Sequence, residues 1–111
     1  MRLRADIFVA ALIRRVETAG AAAYLRRRGA AEAGAIFVLL DCLDGRVALF
    51  GPAPQSEAAD DGMRSFQRMH KDEWNESADV EARLAREIEF DNDLWIVEIE
   101  DRQARDFLHY D

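Results

Sequence analysis

Apolar positions along the chain follow two rhythms, one of helical spacing and one of alternation. Over residues 6–19, Val9, Leu12, Ile13 and Val16 share one helical face with Phe8 at its edge, while Arg14, Arg15 and Thr18 point away. Gly20 then supplies a C-terminal stop. A second helix is predicted from Ser77, which can cap it, with Asp79 suiting the helix dipole. Val80, Leu84 and Ile88 recur four apart, and Arg83 with Glu87 adds a solvent-side pair. Asp91-Asn92-Asp93 closes that helix.

The other rhythm predicts strands. Ala35-Ile36-Phe37-Val38-Leu39-Leu40 is too densely apolar for an edge and reads as a central strand covered on both faces. Asp44-Gly45 is a hairpin signal, and Arg46 to Phe50 returns as the partner strand. Gly51-Pro52-Ala53-Pro54 breaks the pattern, since neither proline can donate a ladder hydrogen bond. Residues 55–62 read as a polar loop, and Ser65 to His70 as a further, weaker strand. Leu94 to Glu100 alternates, with Trp95, Val97 and Ile99 on one face and Glu98 and Glu100 turned towards water. Ala21–Arg28 admits two assignments. Its alanines favour helix, whereas Tyr24-Leu25 before Gly29 suits a strand, which we prefer for the second half. No internal repeat or linker interrupts this order, so residues 1–111 form one domain. The predicted fold is α+β: an antiparallel sheet of four to five strands with two helices packed on one face.

Composition agrees with a folded domain, because half of the residues are hydrophobic although a third are charged. Cys42 is the single cysteine, so no internal disulfide forms, which fits a reducing, cytoplasmic setting. Basic Met1-Arg2-Leu3-Arg4 before an apolar run resembles a signal peptide. Asp6 interrupts the start of that run, however, and Arg14-Arg15 close it before any small-residue cleavage site. The run also falls well short of the roughly 18 apolar residues a membrane span requires, so no membrane association is expected.

The net charge of −7 is unevenly divided. Residues 1–34 carry seven arginines against Asp6, Glu17 and Glu32, a surplus of +4, and the remainder carries −11. Such a split suits self-complementary packing or two surfaces of opposite sign. Arginine supplies fourteen of the fifteen basic residues and alanine is abundant, as a GC-rich bacterial genome would produce by codon bias.

Gly34-Ala35-Ile36-Phe37-Val38, Asp44-Gly45, Gly51-Pro52-Ala53-Pro54-Gln55, Arg83-Leu84-Ala85-Arg86-Glu87 and Phe90-Asp91-Asn92-Asp93-Leu94-Trp95 form a spaced set. With Arg26-Arg27-Arg28-Gly29 and Glu100-Asp101-Arg102, this set resembles the DUF1491 family of short bacterial proteins of unknown function. The resemblance implies no catalytic residues.

The candidate chemistry is sparse. His70 and Glu73, three apart, with distant His109, fall short of the three or four exactingly spaced ligands of a zinc site. Cys42 ends a dense apolar strand, where cysteine behaves as a small buried hydrophobe. Ser56, Ser65 and Ser77 lack a nucleophile-elbow context, and no phosphate-binding glycine pattern is present. We therefore assign no catalytic, cofactor-binding or metal residue and expect no cofactor.

What remains is a contact surface: Arg26, Arg27 and Arg28, the rigid loop of Pro52, Pro54 and Gln55, and Trp74, an aromatic in a polar stretch. The expected function is a non-enzymatic interaction module binding another protein or its own copy, possible as a homodimer. One alternative is a small-molecule binder or minor enzyme with a pocket near the Pro52–Pro54 loop, drawing on Asp41, Arg46, Gln55 and His70. Another is nucleic-acid binding through Arg26–Arg28, disfavoured by a pI near 4.8 and by the absence of aromatics interleaved with the arginines.

Overall fold

The computed structural model describes residues 3–54 and 64–109. The expected loop 55–62, with Gln55 and Ser56, lies outside the described residues. The chain runs α1 (Ala5–Thr18), β1 (Ala22–Arg27), β2 (Ile36–Asp41), β3 (Val47–Pro52), β4 (Phe66–Arg68), α2 (Ser77–Phe90) and β5 (Trp95–Glu100).

α1 begins without a side-chain cap. Its first amides are satisfied by a neighbouring turn instead, Ala5 N–H donating to the Glu32 carbonyl at 3.1 Å and Asp6 N–H to that of Ala31 at 3.0 Å. Gly20 ends it at φ 89° and donates to the Glu17 carbonyl, as the sequence predicts. Residues 22–27 are strand throughout, so the strand alternative prevails over a longer stretch than its second half.

The five strands form one sheet in the order β1-β5-β2-β3-β4. Pairings β1–β5, β2–β3 and β3–β4 are antiparallel, whereas β2–β5 is parallel. The sheet is thus mostly antiparallel but mixed. The parallel pair follows from α2, a crossover long enough to return the chain to the same end of the sheet before β5 starts.

The fold class is α+β, but the two helices straddle the sheet and do not share a face. α1 contributes Phe8, Val9, Leu12 and Val16 to a cluster with Ile36, Val38, Leu40, Ala48, Phe50, Trp95, Val97 and Ile99. α2 contributes Val80 and Leu84 to a second cluster with Phe37, Leu39, Val47, Leu49 and Ile96. The cause is the continuous apolar run of β2. Two helices on one side would have left Phe37, Leu39, Leu49 and Ile96 in water, at roughly 1.5–3 kcal/mol each.

Two local expectations also shift. Ser77 is the first helical residue, Glu76 occupies the cap position, and neither caps through its side chain. The break expected at Pro52 falls later, because β3 continues through it and pairs Pro52 with Phe66. β2 pairing has stopped at Val38–Phe50, so the missing proline N–H deprives no neighbour. The Pro52 carbonyl still accepts a bond from Gln67 Nε2 at 3.2 Å.

The 28–35 connection is pinned beneath β5. The Trp95 indole N–H donates to the Ala30 carbonyl at 2.8 Å, and Ala30 N–H donates to that of Asp93 at 2.8 Å. This approach explains Gly29 and Gly34. A Cβ at either would lie 2.2 or 2.7 Å from the Asp93 carbonyl oxygen, closer than backbone tolerates.

Candidate functional site

β1 is an outer strand, and among the described residues β5 is its one strand partner. Tyr24 pairs with Glu98 and so faces α2, whereas Leu25 pairs with Val97 and faces α1. Both are substantially exposed, Tyr24 at 51% and Leu25 at 40%. The register slips between Leu25 and Arg27, which makes Arg26 a bulge. Edge strands invite strand addition, and the bulge at Arg26 restricts it at the end of β1 while residues 22–25 stay in regular register.

The three arginines that follow are already employed within the molecule. Arg26 reaches across the α2 face to Glu81 at 2.9 Å and Glu98 at 3.3 Å. Arg27 donates to the Asn92 carbonyl at 2.6 Å, and Arg28 lies 5.3 Å above the Trp95 ring. The hydrogen bond from Arg26 holds the Glu81 carboxyl below its usual range. This arrangement ties β1 to α2 and β5.

Next to Arg26 the sheet surface turns acidic. Asp41, Glu98 and Glu100 bring carboxylate oxygens within 4.8 Å of one another. Register explains the convergence: parallel pairing sets Asp41 beside Glu100 and Leu39 beside Glu98, on the face α2 leaves open. Burial pushes the Glu98 carboxyl up; Arg26 opposes this, and Glu100, Asp41 and Glu81 reinforce it. Glu100 beside Tyr24 raises the phenol above its ordinary value. An all-oxygen set of this kind can share a proton, take a hard divalent cation, or face basic side chains of a partner. Sequence alternation marked Glu98 and Glu100 as outward-facing. It carried no sign that Asp41 would join them, because that contact depends on a non-local strand pairing.

The remaining candidates are scattered. Trp74 is half-buried against the α1-side core, with Arg46 5.0 Å and Arg68 5.4 Å from its ring, so it stabilises the β4 end of the sheet. Pro52 and Pro54 are exposed. The cavity by Pro52, lined by Ile36, Arg64, Ser65 and Phe66, measures about 10 Å³, room for one water. Asp41 and Arg46 do not converge on it. Asp41 pairs with Val47 at the far end of β3, about 17 Å from Pro52, and Arg46 is bound to Asp44 at 2.8 Å.

Among the described residues, two larger depressions are open and shallow. One of about 520 Å³ lies along Ala10, Ala11, Arg14, Arg15, Thr18 and Ala19 of α1 and its end. The other, of about 480 Å³, lies at the start of α2 between Arg46, Asp72, Trp74, Glu76 and Asp79.

Cys42 is buried, and burial raises its thiol further from the reactive anion. Among the described residues, His70, Glu73 and His109 do not gather into a ligand set. No described helix is long and apolar enough to cross a membrane. Phe90, at the end of α2, is 89% exposed, but isolated apolar side chains are ordinary on protein surfaces.

Comparison with known proteins agrees with this geometry. The solution structure of protein Atu0922 from A. tumefaciens is similar, with 45% identity and a TM-score of 0.84, over 99% of this chain and 95% of that one. The crystal structure of a DUF1491 family protein from Caulobacter crescentus matches at 38% identity and TM-score 0.83, over 100% and 99% of the two chains. An NMR structure of a DUF1491 family protein from the same organism matches at 39% identity and TM-score 0.81, over 100% and 98%. Among curated proteins, none matches. The family model described as a protein of unknown function, DUF1491, covers residues 3–109, and the chain belongs to that family.

Proposed function

We propose that this protein is a non-enzymatic interaction module that engages another polypeptide, or its own copy, through the outer edge of β1. One observation carries the proposal: a six-residue edge strand presents a half-exposed tyrosine on one face and a half-exposed leucine on the other. Strand addition uses main-chain hydrogen bonds for affinity and alternate side chains for specificity, and β1 offers both. The acidic set beside it supplies a polar rim.

The same geometry weighs against the alternatives. Among the described residues, the space beside Pro52 is about 10 Å³, far below the several hundred Å³ of a small-molecule site. Arg26 is committed to carboxylates and Arg27 to a carbonyl, which leaves them poorly placed to bind phosphates. In this proposal the contact surface shifts from the arginines, the prolines and Trp74 to Tyr24 and Leu25. The module works in the cytoplasm, where the lone thiol stays reduced.

The test is isolation of tagged protein from its native cells, in parallel with Leu25→Arg, followed by identification of co-purifying chains and light scattering. Retention of a specific chain or of a second copy by the wild type, lost in Leu25→Arg, is the expected result. A monodisperse monomer that retains no specific chain overturns the proposal.

A further inference from the structure

We propose that residues 101–109 are a strap that lifts as one unit while the sheet stays folded, and that its lifting gives access to Cys42 and to an apolar groove beneath it. This device is separate from the interaction proposed for β1. Residues 101–109 form neither helix nor strand. They run over the α1-side face of the sheet, where Leu108 is buried and Ala104 and Phe107 are partly buried against the core. The groove under them is lined by Val38, Leu40, Phe50 and Ile99, and the fit leaves about 10 Å³ of space.

The strap's polar bonds are mostly its own. The amides of Gln103, Ala104 and Arg105 donate to Asp101, and those of Leu108 and His109 donate to Asp106. The Arg105 guanidinium donates to both Asp101 carboxylate oxygens, at 3.0 and 3.2 Å, and lies 5.4 Å from the Phe107 ring. Among the described residues, three hydrogen bonds tie this unit to the rest. Asp101 N–H donates to the Asp41 carbonyl at 3.0 Å, Arg105 to that of Ala19 at 3.2 Å, and Arg15 to that of Phe107 at 2.6 Å. A covering segment joined by so few bonds opens locally far more readily than a strand held in a ladder. Asp101 and Arg105 leave together, so lifting leaves neither charge buried alone. What lifting uncovers follows from register. The Asp101–Asp41 bond extends the parallel β2–β5 ladder by one step, which sets Cys42 beside Asp101. Cys42 is 1% exposed and belongs to the α1-side core, at the corner where Asp101 and Arg105 meet the sheet.

As the single cysteine, Cys42 reports on the strap. The test is labelling of the full chain with a maleimide across a urea series, beside native-state amide exchange. The expected wild-type result is slow modification of the folded protein at a rate that hardly changes at low urea, while the amides of Val38 and Val97 stay protected. Arg15→Met frees the Phe107 carbonyl and Leu108→Ala loosens the groove contact, and both leave Asp101 and Arg105 in place. Each should speed labelling at least about tenfold, the shift expected from losing one charge-assisted hydrogen bond or a comparable buried contact. Val80→Ala, in the cluster on the opposite face, lowers global stability and should leave the low-urea rate unchanged. Wild-type labelling only at the rate and urea dependence of global unfolding overturns the proposal, and that measurement decides even where a variant fails to fold. So does labelling of folded Arg15→Met and Leu108→Ala at the wild-type rate, or an equal acceleration by Val80→Ala.

Discussion

At one margin of the sheet, β4 offers three residues, and the chain that follows folds back over the start of β3. Val47 and Asn75 exchange backbone hydrogen bonds at 3.1 and 2.8 Å, and Arg68 lies over the rings of Phe50 and Trp74. At the other margin, β1 offers six residues, and Tyr24 and Leu25 are substantially exposed. At the first margin the edge of β3 beyond short β4 is closed by the Val47–Asn75 pairing. At the other, β1 is held from within by ion pairs and keeps two side chains exposed. An open edge is a template for another chain, and at β1 the bulge and the arginines limit what can add there.

The largest expected effect comes from breaking what seats β1. Gly29→Val would drive a side chain into the Asp93 carbonyl and the Trp95 ring. It should cost more than about 3 kcal/mol in urea denaturation, since the obstacle is backbone. Loss of less than about 1 kcal/mol would show that the 28–35 connection is not what positions the open edge. At the closed margin, Trp74→Ala should cost about 2–3 kcal/mol by the same measurement, from lost half-buried area and two cation–aromatic contacts. It should leave association through β1 unchanged, and altered association would erase the distinction between the margins.

A smaller effect concerns the anchor of the turn that leads into β1. Buried Asp101 accepts bonds from the Gln103 and Arg105 amides and from the Arg105 guanidinium, which also donates to the Ala19 carbonyl ahead of β1. Burial alone would raise the Asp101 carboxyl, but these bonds together hold it below its ordinary 3.8. The native state therefore binds fewer protons there than the unfolded chain. The stabilisation is in place above about pH 4 and is lost as pH falls through the depressed value. Asp101→Asn should cost about 1–2 kcal/mol at pH 7, and the gap to wild type should shrink in melts at progressively lower pH.

The smallest change is expected at the acidic set. Glu98 holds its proton more tightly in the folded state than its ordinary 4.5. Its contribution therefore favours the native state as pH falls from neutral towards 4.5. Glu98→Gln should alter stability at pH 7 by less than about 1 kcal/mol and remove that rise on mild acidification, as read from paired melts at pH 7 and 5.

Both helices, the hairpin and the alternation of β5 were legible because each rests on local periodicity that packing then used. Val80 and Leu84 face the core as their spacing requires, and Gly45 sits at φ 97° in the hairpin. The placement of the helices was also within reach, since a strand buried on both faces demands cover on both. β1 was only partly legible, because Tyr24 and Leu25 are both exposed and an edge strand then lacks an alternating stripe. Ser77 was displaced by one position from the cap, a shift composition does not resolve. The acidic set was hidden for a stronger reason. Asp41 and Glu100 are 59 positions apart in sequence and meet only because two strands run parallel in register.

The central place of β5 has a consequence for how the molecule is made. β1 emerges from the ribosome some seventy residues before the strand it needs, and β2 must likewise wait for one of its two neighbours. Until residues 95–100 are released, the sheet is two disconnected pieces with bare flanks. Completion of the sheet is therefore a late step governed by distant pairings, and a nascent chain stalled before Trp95 is a natural client for holding chaperones.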